Sequence, residues 1–149
     1  MKEQDKNKTN ASRFQQKNII PIDEAVNQIN NLKILIAEDD ESSEKYITIS
    51  IKKFCKEIKI ARTGVEAIEV CRNNPDIDLV LMDILMPEMN GYEATRQIRQ
   101  FNKDLVIIAQ TAYALLGDRE KAIESGCNDY VSKPILKEEL QTLIKKYFN

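Results

Sequence analysis

Short apolar runs alternate with stretches of helical spacing from Leu32 to the end of the chain. Ile34-Leu35-Ile36-Ala37 predicts a first strand over 33–37. A helix follows over 42–54, with Tyr46, Ile47, Ile49, Ile51 and Phe54 among its apolar positions. Glu57-Ile58-Lys59-Ile60-Ala61 alternates, so one side-chain row is apolar and the run reads as an edge strand. Thr63-Gly64-Val65-Glu66 has the spacing of a capping box, in which hydroxyl and carboxylate satisfy orphan amides of the next helix. That helix carries Ala67, Ile68 and Cys71 and stops before Pro75. A third strand over 78–82, containing Leu79-Val80-Leu81-Met82, is apolar without interruption and suits cover on both faces. A loop at 86–91, a helix over 92–100, a strand over 105–110 and a helix over 115–125 follow, the last closed by Gly126. A short strand near 128–131 and an amphipathic helix over 137–147 complete the pattern. Five strands alternating with five helices predict an α/β domain, a doubly wound parallel sheet with helices on both faces.

Residues 1–18 break the pattern. They are rich in Lys, Asn and Gln, with Phe14 the one large apolar residue after Met1, too little to offset the entropy of ordering. Residues 1–31 therefore read as a flexible tail or linker and 32–149 as a single domain. Ile22, Val26 and Ile29 permit a short helix over 22–30, and a linker with scattered aliphatics fits the same residues equally.

Composition narrows the class. Of 149 residues, 42% are hydrophobic and 31% charged, which fits a water-soluble globular fold with a sizeable core. No apolar run approaches a membrane span and no signal-peptide pattern follows Met1, so a cytoplasmic domain is expected. A net charge of −2 leaves no footprint for direct nucleic-acid binding. The three cysteines, Cys55, Cys71 and Cys127, lack metal-ligand spacing and are expected as reduced thiols. The chain has no histidine, so neither a His-based triad, a His-ligated zinc nor a phosphohistidine can belong to it.

The candidate chemistry sits where the strands end. Glu38-Asp39-Asp40 closes the first apolar run, Asp83 the third, Thr111 follows the fourth, and Lys133 follows Tyr130-Val131-Ser132. In an open parallel sheet, ligands bind beyond the carboxyl ends of the strands. Carboxylates gathered there raise one another's proton affinity, and a hard divalent cation, usually Mg²⁺ where few carboxylates, a carbonyl and waters share the ion, removes that penalty. With a hydroxyl and an ammonium added, the set reads as a phosphoryl-accepting site.

Four motifs carry a family resemblance: Ile-Leu-Ile-Ala-Glu-Asp-Asp at 34–40, Met-Asp-Ile-Leu-Met-Pro-Glu-Met-Asn-Gly at 82–91, Gln-Thr-Ala at 110–112 and Tyr-Val-Ser-Lys-Pro at 130–134. From about 33 to 148 the chain resembles the response-regulator receiver domain of two-component signalling. The resemblance implies a flavodoxin-like sheet of order 2-1-3-4-5. It implies that Asp83 takes a phosphoryl group from a partner's phosphohistidine, with Mg²⁺ held by Asp39 directly, by Glu38 through water, by Asp83 and by the backbone carbonyl of Leu85. Lys133 and Thr111 would engage the phosphoryl oxygens, Pro134 would follow a cis peptide bond, and Tyr130 would turn inward when Thr111 moves. The signal would then reach a partner through the face built from the fourth helix, fifth strand and fifth helix. Asp40 lies outside the metal pair and has a sufficient role at the start of the first helix. Asn90 stands where the family often has an aspartate, a change that still favours a turn. Bulky Leu85 and Tyr113 occupy positions that influence attacking water, which leads us to expect a long-lived acyl phosphate.

Three rival readings fit the residues less well. A haloacid-dehalogenase-type phosphatase needs a second acid two residues after its nucleophile, where this chain has Leu85. A flavodoxin-like cofactor binder needs a phosphate-cradling loop where this chain has Glu-Asp-Asp. A receiver that merely docks partners would not fill all five key positions. The expected partner is a histidine kinase or a histidine phosphotransfer domain, with a homodimer left open. The tail and Gln-Thr-Ala-Tyr-Ala at 110–114 favour the receiver of a hybrid sensor histidine kinase, its parent membrane-anchored or not, over a stand-alone regulator.

Overall fold

Among the residues that this computed structural model describes, 29–112 and 117–148, five strands and five helices alternate. In chain order they are β1 Leu32–Ala37, α1 Glu41–Ile51, β2 Cys55–Ala61, α2 Gly64–Asn73, β3 Leu79–Asp83, α3 Gly91–Arg99, β4 Val106–Thr111, α4 Asp118–Ser125, β5 Asp129–Ser132 and α5 Lys137–Phe148. All neighbouring strands pair in parallel, and the sheet order is β2-β1-β3-β4-β5. This is the expected doubly wound sheet. Tyr113 and the body of the helix considered over 22–30 lie outside the described residues.

Side chains leave a strand alternately toward its two faces, and β1 serves two packed layers in this way. Leu35 and Ala37 join Ala67, Ile68, Ala94, Ile98 and Ala122 of α2, α3 and α4. Ile34 and Ile36 join Ile47 and Ile51 of α1 and Leu140 and Ile144 of α5, and Ile29 ahead of β1 is buried in the same layer. Each fully buried aliphatic contributes about 1.5–3 kcal/mol toward offsetting backbone entropy. Lys33 is buried within β1 and carries its ammonium out to the rim, 3.0 Å from Asp76 and 3.5 Å from Glu57. The outer strand β2 is half-buried along most of its length, as an edge strand covered on one row should be. Cys55, Cys71 and Cys127 are free, and burial pushes the Cys71 thiol up to about 12.

Three local details differ from the expected pattern. The first helix ends at Ile51, a tight 3₁₀ turn takes Lys52–Phe54, and the chain is extended again from Cys55, two residues before the expected strand. Of the apolar positions in that helix, Ile47 and Ile51 are buried, while Tyr46 is 47% and Ile49 72% exposed. The i, i+4 pair alone faces the sheet, so Tyr46 and Ile49 are surface residues. In the capping box, Thr63 Oγ1 accepts the Glu66 N–H at 3.1 Å, but the Glu66 carboxylate reaches back to the N–H of Arg62 at 2.6 Å. At the other end of the chain, Gly126 closes α4 at φ +108°, the left-handed conformation expected there.

Candidate functional site

Register aligns the carboxyl ends of the strands. Ala37 pairs with Met82, Asp83 with Gln110, and Thr111 with Ser132, so Glu38, Asp83, Thr111 and Lys133 share one rim of the sheet. The sequence-predicted site residues are therefore brought together, apart from Tyr113 outside the described residues. Lys133 precedes a cis peptide bond to Pro134, and its N–H donates to the Thr111 carbonyl at 2.7 Å.

The acidic turn after β1 is held by its own backbone. Glu38 N–H donates to the Ala61 carbonyl at 2.9 Å, and the Glu38 carboxylate accepts the Asp40 N–H at 3.2 Å. Asp40 caps α1, its Oδ2 accepting the Ser43 N–H at 2.8 Å, which is the bland role expected of it. Arg62 was not singled out by the sequence motifs. It donates to the Glu38 carbonyl at 3.2 Å and pairs with Glu44 at 3.2 Å. The strand-end rule finds it when extended to β2, because Arg62 is the residue after Ala61.

Glu38 is 1% exposed and Asp83 is 4% exposed, whereas Asp39 faces solvent. One ligand oxygen from each of Glu38, Asp39 and Asp83 lies within 4.8 Å of the others. This all-oxygen set of three carboxyl groups fits a hard divalent cation such as Mg²⁺. The internal counter-charge is Lys133, whose Nζ stands 2.8 Å from Glu38 Oε2 and 3.6 Å from Asp83 Oδ1. Burial pulls the Lys133 ammonium down, but its hydrogen bond to Glu38 and the two carboxylate charges outweigh this and raise it. Burial first, then the Glu38 charge, pushes Asp83 up to about 7 against the opposing pull of Lys133. Asp83 Oδ1 also accepts the Leu85 N–H at 3.3 Å. The Leu85 side chain is 57% exposed, so an apolar surface stands where a second acid would act in a phosphatase.

Thr111 is buried beside Asp83's strand, and Tyr130 is half-buried against the α2–α3–α4 layer. Burial first and the Asp118 charge second raise the Tyr130 phenol. The loop after Asp83 is pinned by close backbone approach. Gly91 N–H donates to the Ile84 carbonyl at 2.9 Å, and a Cβ at Gly91 would collide with the Asp83 carbonyl oxygen and lie 2.9 Å from Met82 Cγ. Gly91→Ala is accordingly expected to destabilise the domain by about 3 kcal/mol, with Asp83 displaced. Urea unfolding measures this, and a loss below about 0.5 kcal/mol would contradict the packing argument.

Comparison with known proteins places this geometry. The family model described as the Response regulator receiver domain matches residues 34–145. The chain is 40% identical over 127 residues to Hybrid signal transduction histidine kinase I of Dictyostelium discoideum, an alignment covering 77% of this chain and 7% of that protein. It is 32% identical over 125 residues to Sensor histidine kinase RcsC of Escherichia coli, covering 84% of this chain and 13% of that protein. The chain thus spans a small fraction of these relatives. Among solved structures, the co-crystal of the Saccharomyces cerevisiae histidine phosphotransfer protein Ypd1 with the receiver domain of Ssk1 matches with a TM-score of 0.75 and 30% identity, covering 80% of this chain and 90% of that one. The CheX–CheY–BeF₃–magnesium complex of Borrelia burgdorferi matches with a TM-score of 0.75 and 25% identity, over 79% of this chain and 90% of that one. With its sheet order, its strand-end carboxylates and its matched span all in agreement, the chain belongs to the response regulator receiver domain family.

Proposed function

We propose that this domain is a phosphoryl-accepting signalling switch whose acceptor is Asp83. The observation that carries the proposal is the convergence of Glu38, Asp39 and Asp83 within 4.8 Å, with the Lys133 ammonium 3.6 Å from the acceptor. An Asp83 carboxylate oxygen attacks the phosphorus of a partner's phosphohistidine. An O–P bond forms, the P–N bond breaks, and its electron pair stays on the imidazole, which takes up a proton. Such transfers depend on positioning and charge neutralisation. Asp39 would hold Mg²⁺ directly, Glu38 through water, with Asp83 and the Leu85 carbonyl completing the protein's share; the ion supplies neutralising charge. Lys133 exchanges Glu38 for the phosphoryl oxygens, Thr111 donates its hydroxyl to them, and Tyr130 follows Thr111 inward. The α4–β5–α5 face then presents an altered surface to a target or a second copy.

The donor is proposed to be a histidine kinase or a phosphotransfer domain, which the Ypd1–Ssk1 receiver co-crystal supports by likeness. A groove of about 440 Å³ opens beside Lys133, lined by Tyr46, Ile47, Pro134, Ile135 and Leu136 among others, and suits an apolar docking surface. The relatives support a parent hybrid histidine kinase, with this domain its acceptor and not its catalytic part. A cytoplasmic location belongs to the same reading; no helix among the described residues is long and apolar enough to cross a membrane.

Incubation with acetyl phosphate and Mg²⁺ at pH 8, followed by intact-mass measurement, tests the proposal. A gain of one phosphoryl group that requires Mg²⁺ and is absent from Asp83→Asn is expected. Equal gain in both proteins would move the acceptor elsewhere.

A further inference from the structure

Gln110 stands apart from the other buried polar side chains that the structure describes. Among the described residues, its Nε2 and Oε1 are the buried side-chain atoms left without a hydrogen-bond partner, although the residue is fully buried. Such an amide forgoes the hydrogen bonds that water offered it, so the resting fold bears a penalty that a leucine there would not. Its position is specific. Register pairs Gln110 with Asp83 on one side and Val131 on the other. Residues paired across parallel strands send their side chains to the same face, and Val131 and Ile108, two residues earlier on β4, both belong to the layer under α1 and α5. Gln110 therefore flanks the acceptor carboxylate from the neighbouring strand. Its backbone carbonyl also accepts the Ile84 N–H at 2.9 Å, which ties the two strand ends together.

In the resting protein Asp83 is occupied elsewhere, by the Leu85 N–H at 3.3 Å and the Lys133 ammonium at 3.6 Å. Once a phosphoryl group draws Lys133 away, the carboxyl loses a partner on the side of the sheet where the unpaired amide lies. Resting on the acceptor role of Asp83, we propose that Gln110 is a positioning residue for the modified state: its amide donates to the Asp83 carboxyl when the phosphoryl group is present. A donor unpaired in one state and paired in the other biases the equilibrium toward the second. Gln110 would thus lower the stability of the resting form and favour the loaded one through the same atoms.

The test uses the full chain with Gln110→Leu and the closely isosteric Gln110→Met, the second guarding against a packing failure of the first. Two quantities are measured: the ligand-free melting temperature, and the affinity for beryllium fluoride in the presence of Mg²⁺, by calorimetry. Expected are variants that melt at or above the wild type when ligand-free yet bind beryllium fluoride about tenfold more weakly, the loss of one hydrogen bond. Mg²⁺ affinity alone should not change. Unchanged beryllium fluoride affinity would make the amide merely structural and overturn the inference, as would a lower ligand-free melting temperature in both variants. A wild type that ignores beryllium fluoride would overturn the acceptor reading itself, and this inference with it.

Discussion

With divalent cations removed, Asp83→Asn is expected to raise the melting temperature at pH 8 by about 5–10 °C and to leave it nearly unchanged at pH 4. Asp83 is held at about 7 by burial and by the Glu38 charge. The unfolded value is that of an ordinary aspartate, near 4. Between about pH 4 and 7 the folded protein therefore binds more protons than the unfolded one, and stability falls as pH rises. The contribution of the protonated carboxyl is complete below the unfolded value and is lost as pH passes through the folded one. Forcing such a group to ionise costs on the order of 4 kcal/mol. Asparagine keeps the shape without the charge, so the variant escapes the loss. Mg²⁺ should raise the melting temperature of the wild type at pH 8 far more than that of the variant. Melts at pH 4, 6 and 8 in a chelator check this, and a gap between the two proteins that does not widen with pH would refute the assigned burial and charge coupling.

Most of what positions Asp83 was legible in the sequence because it depends on local rules. Apolar runs ending in Glu38 and Asp83 mark the carboxyl ends of strands, and the doubly wound topology then sends those ends to one rim. Gly126 and Thr63 announce helix boundaries by the backbone chemistry of their own residue types. What stayed hidden depends on which groups meet in space. Tyr46 and Ile49 look apolar enough for a core, and only the packing of α1 against α5 and the sheet decides that they face outward. The Asn90-Gly91 pair reads as a turn, yet Gly91 also has a tertiary reason, the Asp83 carbonyl that leaves no space for a side chain. Gln110 passes for a polar residue in a motif until its neighbours show that nothing satisfies it. The resting partner of Lys133 is the sharpest case: the motif directs it to a phosphoryl group, whereas the structure gives its ammonium to Glu38 at 2.8 Å.

That pairing sets the second large prediction, in which Lys133→Met moves two quantities in opposite directions. Glu38 is 1% exposed and Asp83 4% exposed, and Lys133 is the ammonium bonded to the first and nearest the second. Removing it leaves buried carboxylates without compensation, a defect that costs about 3–5 kcal/mol when no other ion enters. Protonation of Asp83, already raised, relieves part of that cost at lower pH. A divalent cation relieves it at any pH, and no longer meets a competing positive charge a few ångströms away. Mg²⁺ affinity is therefore expected to rise, by about tenfold, since even at a screened effective dielectric a neighbouring unit charge is worth more than 1 kcal/mol. Phosphoryl acceptance should do the reverse. In the proposed transfer the ammonium would stabilise charge that develops on the phosphoryl group, and loss of one such preorganised donor lowers a rate by about 10²-fold. Calorimetric titration with Mg²⁺ and the initial rate of mass gain from acetyl phosphate measure the two quantities on the same protein. If affinity and rate fall together, Lys133 is a scaffold for the acidic turn; if the rate holds, its contact with Glu38 is its whole role. Only tighter cation binding combined with slower acceptance fits an ammonium that is shared between the resting carboxylates and the incoming phosphoryl group.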